Sequence, residues 1–441
     1  MVKQLKFSNR EKSFSYGSYS TWLWPAIALA FKFVIIFNTP FHIWSGSDAE
    51  SYIEGVNGLI KSGIFSDSQN LQYFPAGYPI FIWILSKLSL ANTLILVSTI
   101  QSLIYAFASW YLAQKINIGK FTKFTPWLAF LISFNPTLSL ASLVIGYESL
   151  VASLLMISVG VLLGIRKEDS HNFQKIAVFS FISTCATFLQ PRYFATSFII
   201  LIFWILKKYG FQNSKKYIAF SLSILLLSPL FLGFRNSQAT NKFFISNNLG
   251  VTMNIGAGPN STGGYSNESR GVPCKSNVRT DNQKVVCVLK WYATNPLQTL
   301  RLSYNKTLYF FSPWSGPLAN GTMARNPWLK INPVHQFAKT EQGSRIIYGG
   351  LGKTIGWIWF SGSFGIMVWG YIWLLRQKEE LRLLGQISGL IVGVSWLIAL
   401  GTIGDHRFRI PVMAFIFVLQ LAGLRGLSRK PLVLKGQARK R

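Results

Sequence analysis

The sequence predicts an all-α polytopic membrane protein, with about ten transmembrane helices and a small extracytoplasmic domain inserted after the seventh. Three observations carry that prediction. Half of the 441 residues are hydrophobic and only 13% are charged, roughly half the charged share of an ordinary soluble protein. Apolar runs long enough to cross a bilayer, roughly 17 to 25 residues, recur along the chain. Lysine and arginine collect in alternate loops, as the topology rule for cytoplasmic loops requires. The formal net charge of +30 therefore has a topological cause. It also draws anionic lipid headgroups and phosphate-bearing substrates. Because the charges are scattered between spans, they argue against a nucleic-acid partner.

Residues 1–20 carry Lys3, Lys6, Arg10 and Lys12 and belong in the cytoplasm. The run 21–38 is too long and too aromatic for a cleaved signal peptide, so it is read as a retained first helix. The loop 39–77 then lies outside. The next apolar stretch, 78–113, is too long for one straight span. It divides into a short dipping or interfacial helix, 78–91, and a span, 93–113. Lys115, Lys120 and Lys123 return the chain to the cytoplasm. Spans follow at 125–140 and 146–165, and Arg166 and Lys167 open the next cytoplasmic loop. A helical hairpin, 176–207, is broken by Pro191 and closes at Lys207, Lys208, Lys215 and Lys216. Residues 217–234 lead outward again, completing an N-terminal membrane module, 1–234.

From 235 to 350 Gly, Asn, Ser, Pro and Thr become frequent and long apolar runs vanish, which marks the extracytoplasmic domain. Sequons at Asn260, Asn267, Asn305 and Asn320 fall here, and they matter only in a source that glycosylates them. The region 351–441 holds the last spans, 353–375, 384–403 and 408–426. RQKEELR (376–382) and the tail KPLVLKGQARKR are cytoplasmic, and GDHR (404–407) is outside, with both termini inside. No internal repeat of the kind found in many transporters is visible. Of three cysteines, Cys185 sits in an apolar run as a core residue. Cys274 and Cys287 lie in the polar segment and are candidates for a disulfide if it is outside the cytoplasm.

The stretch Ser45 to Pro79 stands out, because it holds Asp48, Glu50, Glu54 and Asp67, four of only 14 acidic residues. Asp48 and Glu50 sit just past the outer end of the first helix. A carboxylate there is placed to act as a general base on an acceptor hydroxyl or amine. It is equally placed to hold a divalent cation against a phosphate, and a merely solvated acidic loop is the bland alternative. Tyr73-Phe-Pro-Ala-Gly-Tyr-Pro79 then re-enters the membrane surface with proline stiffness and glycine freedom. Glu148 is an ionisable residue at the edge of an apolar run, where acids are costly and point to function. Lys306, Arg407 and Arg409 are cations near the outer surface, suited to a lipid phosphate or to simple interfacial snorkelling. Arg192 interrupts the hairpin and reads as structural. No Ser-His-Asp set, zinc spacing or phosphate-binding glycine loop is present. With no soluble nucleotide-binding domain, an activated substrate has to arrive from the membrane.

These features, in order, resemble the bacterial membrane glycosyltransferases of the protein-mannosyltransferase and aminoarabinose-transferase type, within the GT-C superfamily. The matching positions are Asp48 after the first helix, Tyr52, Gly63 and the Tyr73–Pro79 entry, then Asn135-Pro136 followed by Glu148. Gln190-Pro191-Arg192 stands where the family has Arg-Pro, in reversed order. Arg235-Asn236, Ser246 to Gly250, Gly256 to Tyr265, Asn295-Pro296 and Lys306 are similar to the start and body of its outer domain. Gly404-Asp-His-Arg-Phe-Arg-Ile-Pro411 is similar to its Arg-x-Arg-x-Pro entry into a late helix. The adjacent Asp-Glu pair of the protein mannosyltransferases is split here by Ala49.

The resemblance implies an inverting transfer of a sugar from a polyprenyl-phosphate donor to a lipid, glycan or protein acceptor on the non-cytoplasmic face of a bacterial inner or plasma membrane. It implies Asp48 as catalytic base, with Glu50 as possible partner and Glu148 as auxiliary acid. Lys306, Arg407 and Arg409 would be phosphate contacts, and Tyr52, Tyr73 and Tyr78 would shape the substrate site. A divalent cation remains possible. The competing functional class is a lipid-linked sugar flippase or other transporter.

Overall fold

The structure is a computed structural model that describes residues 19–38, 48–117, 119–164, 172–265, 271–274, 280–311, 337 and 340–428. The basic N-terminal segment, Arg166, Lys167, Asn267, Asn320 and the basic tail lie outside the described residues. All regular elements among the described residues are helical. Six helical stretches are long and apolar enough to cross a membrane, or seven when one bent pair counts as a span. The protein is thus an all-α membrane protein.

Helix α1 is Tyr19–Asn38. Its residues Phe31, Val34 and Phe37 are exposed, an i, i+3 stripe of the kind that faces lipid. Two short helices follow, α2 (Ala49–Ser62) and α3 (Gln69–Tyr73). Next comes α4 (Gly77–Ser86), an apolar helix of 10 residues. At 1.5 Å per residue it is about 15 Å long, half the hydrocarbon core. Helix α5 (Thr93–Lys115) is a full span.

The expected single span at 125–140 is instead two pieces bent by 56°, with α6 (Thr125–Phe134) ending before α7 (Pro136–Ser139). Pro136 forbids the helical region to the residue before it. Asn135 is accordingly extended, at φ −63° and ψ 119°, and its side chain caps the new helix at the Leu138 amide. Helix α8 (Glu148–Leu163) therefore starts with Glu148 in its first turn, where a helix N-terminus favours negative charge.

Helix α9 (Asn172–Leu189) and α10 (Tyr193–Thr240) form the hairpin broken at Gln190–Arg192. Residues 207–216, expected as a lysine-rich loop, are helical except at Gly210, whose φ of 70° and ψ of 173° make the break. Only glycine takes that conformation cheaply. Helix α10 also runs through Arg235 to Thr240.

The segment after it contains α11 (Leu249–Ile255), α12 (Asp281–Thr294), α13 (Pro296–Phe311) and α14 (Glu341–Tyr348). Cys274 and Cys287 are disulfide-bonded, tying the start of this unit to α12 beside buried Met253, Ala257 and Val288. Helices α15 (Gly350–Leu375) and α16 (Glu379–Gly401) are spans. A 3₁₀ segment, His406–Val412, leads into α17 (Met413–Leu427). Pro411, which lacks an N–H, lies inside that 3₁₀ segment.

Candidate active site

Three chain segments far apart in sequence meet at one end of the helices. The first is the start of α2. Ala49, Tyr52, Val56 and Leu59 form its buried stripe, so Asp48, at the N-cap, stands at the edge of that stripe. Glu50, two residues on, is turned about 200° round the helix from Asp48 and is exposed. The expected partner acid therefore points to solvent. Glu54 accepts from Asn70 Nδ2 at 2.5 Å and is held within the loop.

The second segment is the turn before α8. Tyr78, completely buried on α4, pins it from below. Its hydroxyl accepts from the Gly146 amide at 2.8 Å and donates to Gln101 Oε1 at 3.1 Å. Gln101 in turn donates to the Val144 carbonyl at 2.9 Å. Tyr78 is thus a support for Tyr147 and Glu148 and does not line the cavity. Gly77 is fixed by its neighbour, because a Cβ there would lie 1.8 Å from the Phe188 carbonyl oxygen at the end of α9.

The third segment is Gly404–Arg407. Lys306, almost fully buried on α13, holds it. Its Nζ donates to the Leu400 carbonyl at 2.8 Å, the Thr402 carbonyl at 2.7 Å and the Tyr292 hydroxyl at 2.9 Å. Leu400 and Thr402 end α16, where helical carbonyls lack intrahelical partners. Burial pushes the Lys306 amine down to about 7. This side chain is spent on a helix end and does not reach the cavity. Gly404 packs flat on α13, where a Cβ would meet Lys306 Cα at 2.5 Å.

Arg407 joins the three segments. Its Nη1 donates to Asp48 Oδ2 at 2.5 Å, and its Nε donates to Glu148 Oε1. Its own amide donates to Asp405 Oδ1 at 2.9 Å, and the same oxygen lies 3.1 Å from His406 Nδ1. Burial alone would raise the Asp405 carboxyl, but His406 and Arg407 outweigh it and hold the group below the usual carboxylate range. The Tyr52 hydroxyl is pushed well up, first by burial and then by the Asp48 charge, so Tyr52 remains a neutral hydroxyl.

These groups face an open cavity of about 140 Å³. Asp48, Tyr52, Tyr73 and Arg407 line it, as do three side chains that sequence reasoning gave no site role, Tyr147, Arg192 and Phe408. Asn248 and Tyr265 bring the segment after α10 to its rim. Arg409, two residues beyond Arg407, is buried and lines a different cavity of about 90 Å³, with Asn135 and Trp359. The Gln-Pro-Arg break between α9 and α10 was the signal for Arg192, since a charge at a broken helix end must face something polar.

Among the described residues no group of three or more His, Cys, Asp or Glu side chains is placed to hold a metal ion. Asp48 Oδ2 and Glu148 Oε1 each accept from the Arg407 guanidinium. What the arrangement can do is accept a proton at Asp48, beside an exposed opening, with its charge balanced by a fixed arginine.

No protein-family model matches the chain, and no curated protein matches it. Among solved structures, it is similar to the archaeal oligosaccharyltransferase AglB from Archaeoglobus fulgidus in complex with an inhibitory peptide and a dolichol-phosphate. That likeness has a TM-score of 0.47 and 13% identity, and covers 93% of this chain and 50% of that one. The chain thus spans about half the length of that protein. The reading of the site rests on the geometry above.

Proposed function

We propose that the protein is an inverting glycosyltransferase that moves a sugar from a polyprenyl-phosphate donor to an acceptor hydroxyl or amine on the non-cytoplasmic face of a bacterial inner or plasma membrane. The observation that carries this reading is the Asp48–Arg407–Glu148 constellation in an open cavity at the end of apolar helices. Asp48 takes the acceptor proton as the acceptor oxygen or nitrogen attacks the anomeric carbon. The bond from that carbon to the phosphate oxygen breaks, its electron pair leaves with polyprenyl phosphate, and the configuration inverts. Cations of the cavity stabilise the charge that grows on the leaving phosphate. Glu148 fixes Arg407 from the opposite side, and Tyr73 and Tyr52 wall the substrate space.

The same reading includes the finer topology of about ten spans with both termini inside, counting α8, α9 and both halves of α10. It places the domain 235–350 outside the cytoplasm, where the Cys274–Cys287 disulfide is stable. Transfer from a radiolabelled polyprenyl-phosphate sugar tests the proposal. Asp48→Asn is expected to abolish transfer while the purified protein keeps its melting temperature. Near-normal transfer by that variant would remove Asp48 as the base. Movement of the lipid-linked sugar across vesicles without a new glycosidic bond would replace the transferase with a flippase.

A further inference from the structure

Two arginines line the main cavity, and they differ in what they hold. Arg407 is committed to Asp48 and Glu148. Arg192 has no carboxylate partner among the described residues. Its Nη2 donates to the Tyr147 hydroxyl at 3.0 Å, and its guanidinium lies 3.9 Å over the Phe408 ring. Tyr147 stands between the two cations, each guanidinium carbon lying 5.8 Å from its ring centroid.

The local backbone produces this placement. Helix α9 ends at Leu189 and α10 starts at Tyr193. Pro191 sits in the break between them, so Arg192 enters the cavity from a helix N-cap. Stacking on Phe408 and the single bond to Tyr147 fix the plane of the guanidinium while leaving most of its five N–H donors unused. The carboxylates nearby do not neutralise it, since Asp48 and Glu148 are paired with Arg407 and Asp405 faces His406 and the Arg407 amide. A pre-oriented, uncompensated guanidinium beside a base is built to receive an anion with two or more oxygens.

We infer that Arg192 is the residue that binds the phosphate of the donor lipid, with Tyr147 and Phe408 holding its fork in position. This inference rests on the transferase reading and adds a substrate contact to it. It divides the labour between the two arginines. Arg407 holds and aims the carboxylates, and Arg192 neutralises the leaving group. A phosphate could also reach this site as a phospholipid headgroup or as free phosphate, and the test separates these.

The purified full-length protein is titrated with a short-chain polyprenyl phosphate, the matching polyprenol, phosphatidylglycerol vesicles and inorganic phosphate, with ligand-induced thermal shift as readout. The wild type is expected to prefer polyprenyl phosphate to the alcohol. Arg192→Gln should weaken phosphate binding by about tenfold to a hundredfold, the worth of a charge-assisted contact, and leave polyprenol affinity unchanged. Arg192→Lys keeps the charge but loses the fork, and should be intermediate. If Arg192→Gln does not fold, Arg192→Lys carries the test, and wild-type phosphate affinity in it overturns the inference.

Phosphate affinity unchanged in Arg192→Gln sinks the role of Arg192 and leaves the transferase reading standing. A wild type that does not distinguish the phosphate from the alcohol sinks both. Equal binding of phosphatidylglycerol or inorganic phosphate overturns the assignment to the donor lipid.

Discussion

Arg407 donates to Asp48 across 359 residues of chain, at 2.5 Å. The same guanidinium also holds Glu148, so two carboxylates from separate turns share one cation. Both acids are largely shielded, with side-chain exposures of 26% and 5%. Without the arginine they would repel each other in a low-dielectric setting.

Arg407→Met is therefore expected to be strongly destabilising, by about 3 kcal/mol, the usual result of removing one partner from a buried ion pair. Adding Glu148→Gln to the same chain removes one of the two stranded charges and should recover part of the loss. Thermal unfolding in detergent of the single and double variants checks this. A double variant no more stable than Arg407→Met would mean that the carboxylates do not couple through Arg407.

Gly77→Ala should fail by contact with backbone. The added carbon would stand 1.8 Å from the Phe188 carbonyl oxygen, which cannot swing aside as a side chain can. Helices α4 and α9 would have to separate, at a cost of about 1–3 kcal/mol or more. The expected readout is a lower melting temperature together with impaired transfer, since α4 carries Tyr78 beneath Tyr147. Gly63→Ala makes a contrast: no atom lies within 4 Å of its added carbon, but φ is +71°, so a smaller loss from backbone strain alone is expected.

Lys306 gives a pH signature. Its folded pKa of about 7 lies below the ordinary 10.5 because of burial. Between those values the unfolded chain binds the extra proton, so stability rises with pH across that window and levels off below about 7. Lys306→Met should flatten this rise. It should also lower stability at every pH, because the Leu400 and Thr402 carbonyls lose their donor. Melting temperature measured from pH 6 to pH 10 distinguishes the two effects.

The Cys274–Cys287 bond spans a separation of 13 residues. Cys287→Ser should destabilise the unit around α12 by about 3 kcal/mol in the chain-entropy view. Hydrogen exchange should accelerate in α12 and leave α5 and α16 unchanged. Uniform acceleration in all three would show that this unit and the spans unfold together.

Much of this protein is legible in its sequence because bilayer solvation imposes strong local rules. Apolar length, basic loops and helix-breaking prolines placed α1, α5, α15, α16 and the α9–α10 break with little help from long-range packing. Composition also singled out Asp48 and Glu148, since an acid beside an apolar run is costly enough to be conspicuous. The bend at Asn135-Pro136 was written in the chain too, although its consequence for the span was not read from it.

Which of those charges meet was decided by the tertiary structure alone. Asp48 and Glu50, two residues apart, separate, because two helical steps carry Glu50 round to solvent. Arg407 and Arg409 part company in the same way, each facing a different cavity. Lys306 looked like a surface cation until packing buried it against a helix end. Arg192 looked structural until the hairpin break turned it into the cavity. Periodicity along one helix is a local property that residues one to four apart can express. The pairing of a carboxylate with a guanidinium 359 residues away depends on where three separate turns come to rest, and no local pattern encodes that.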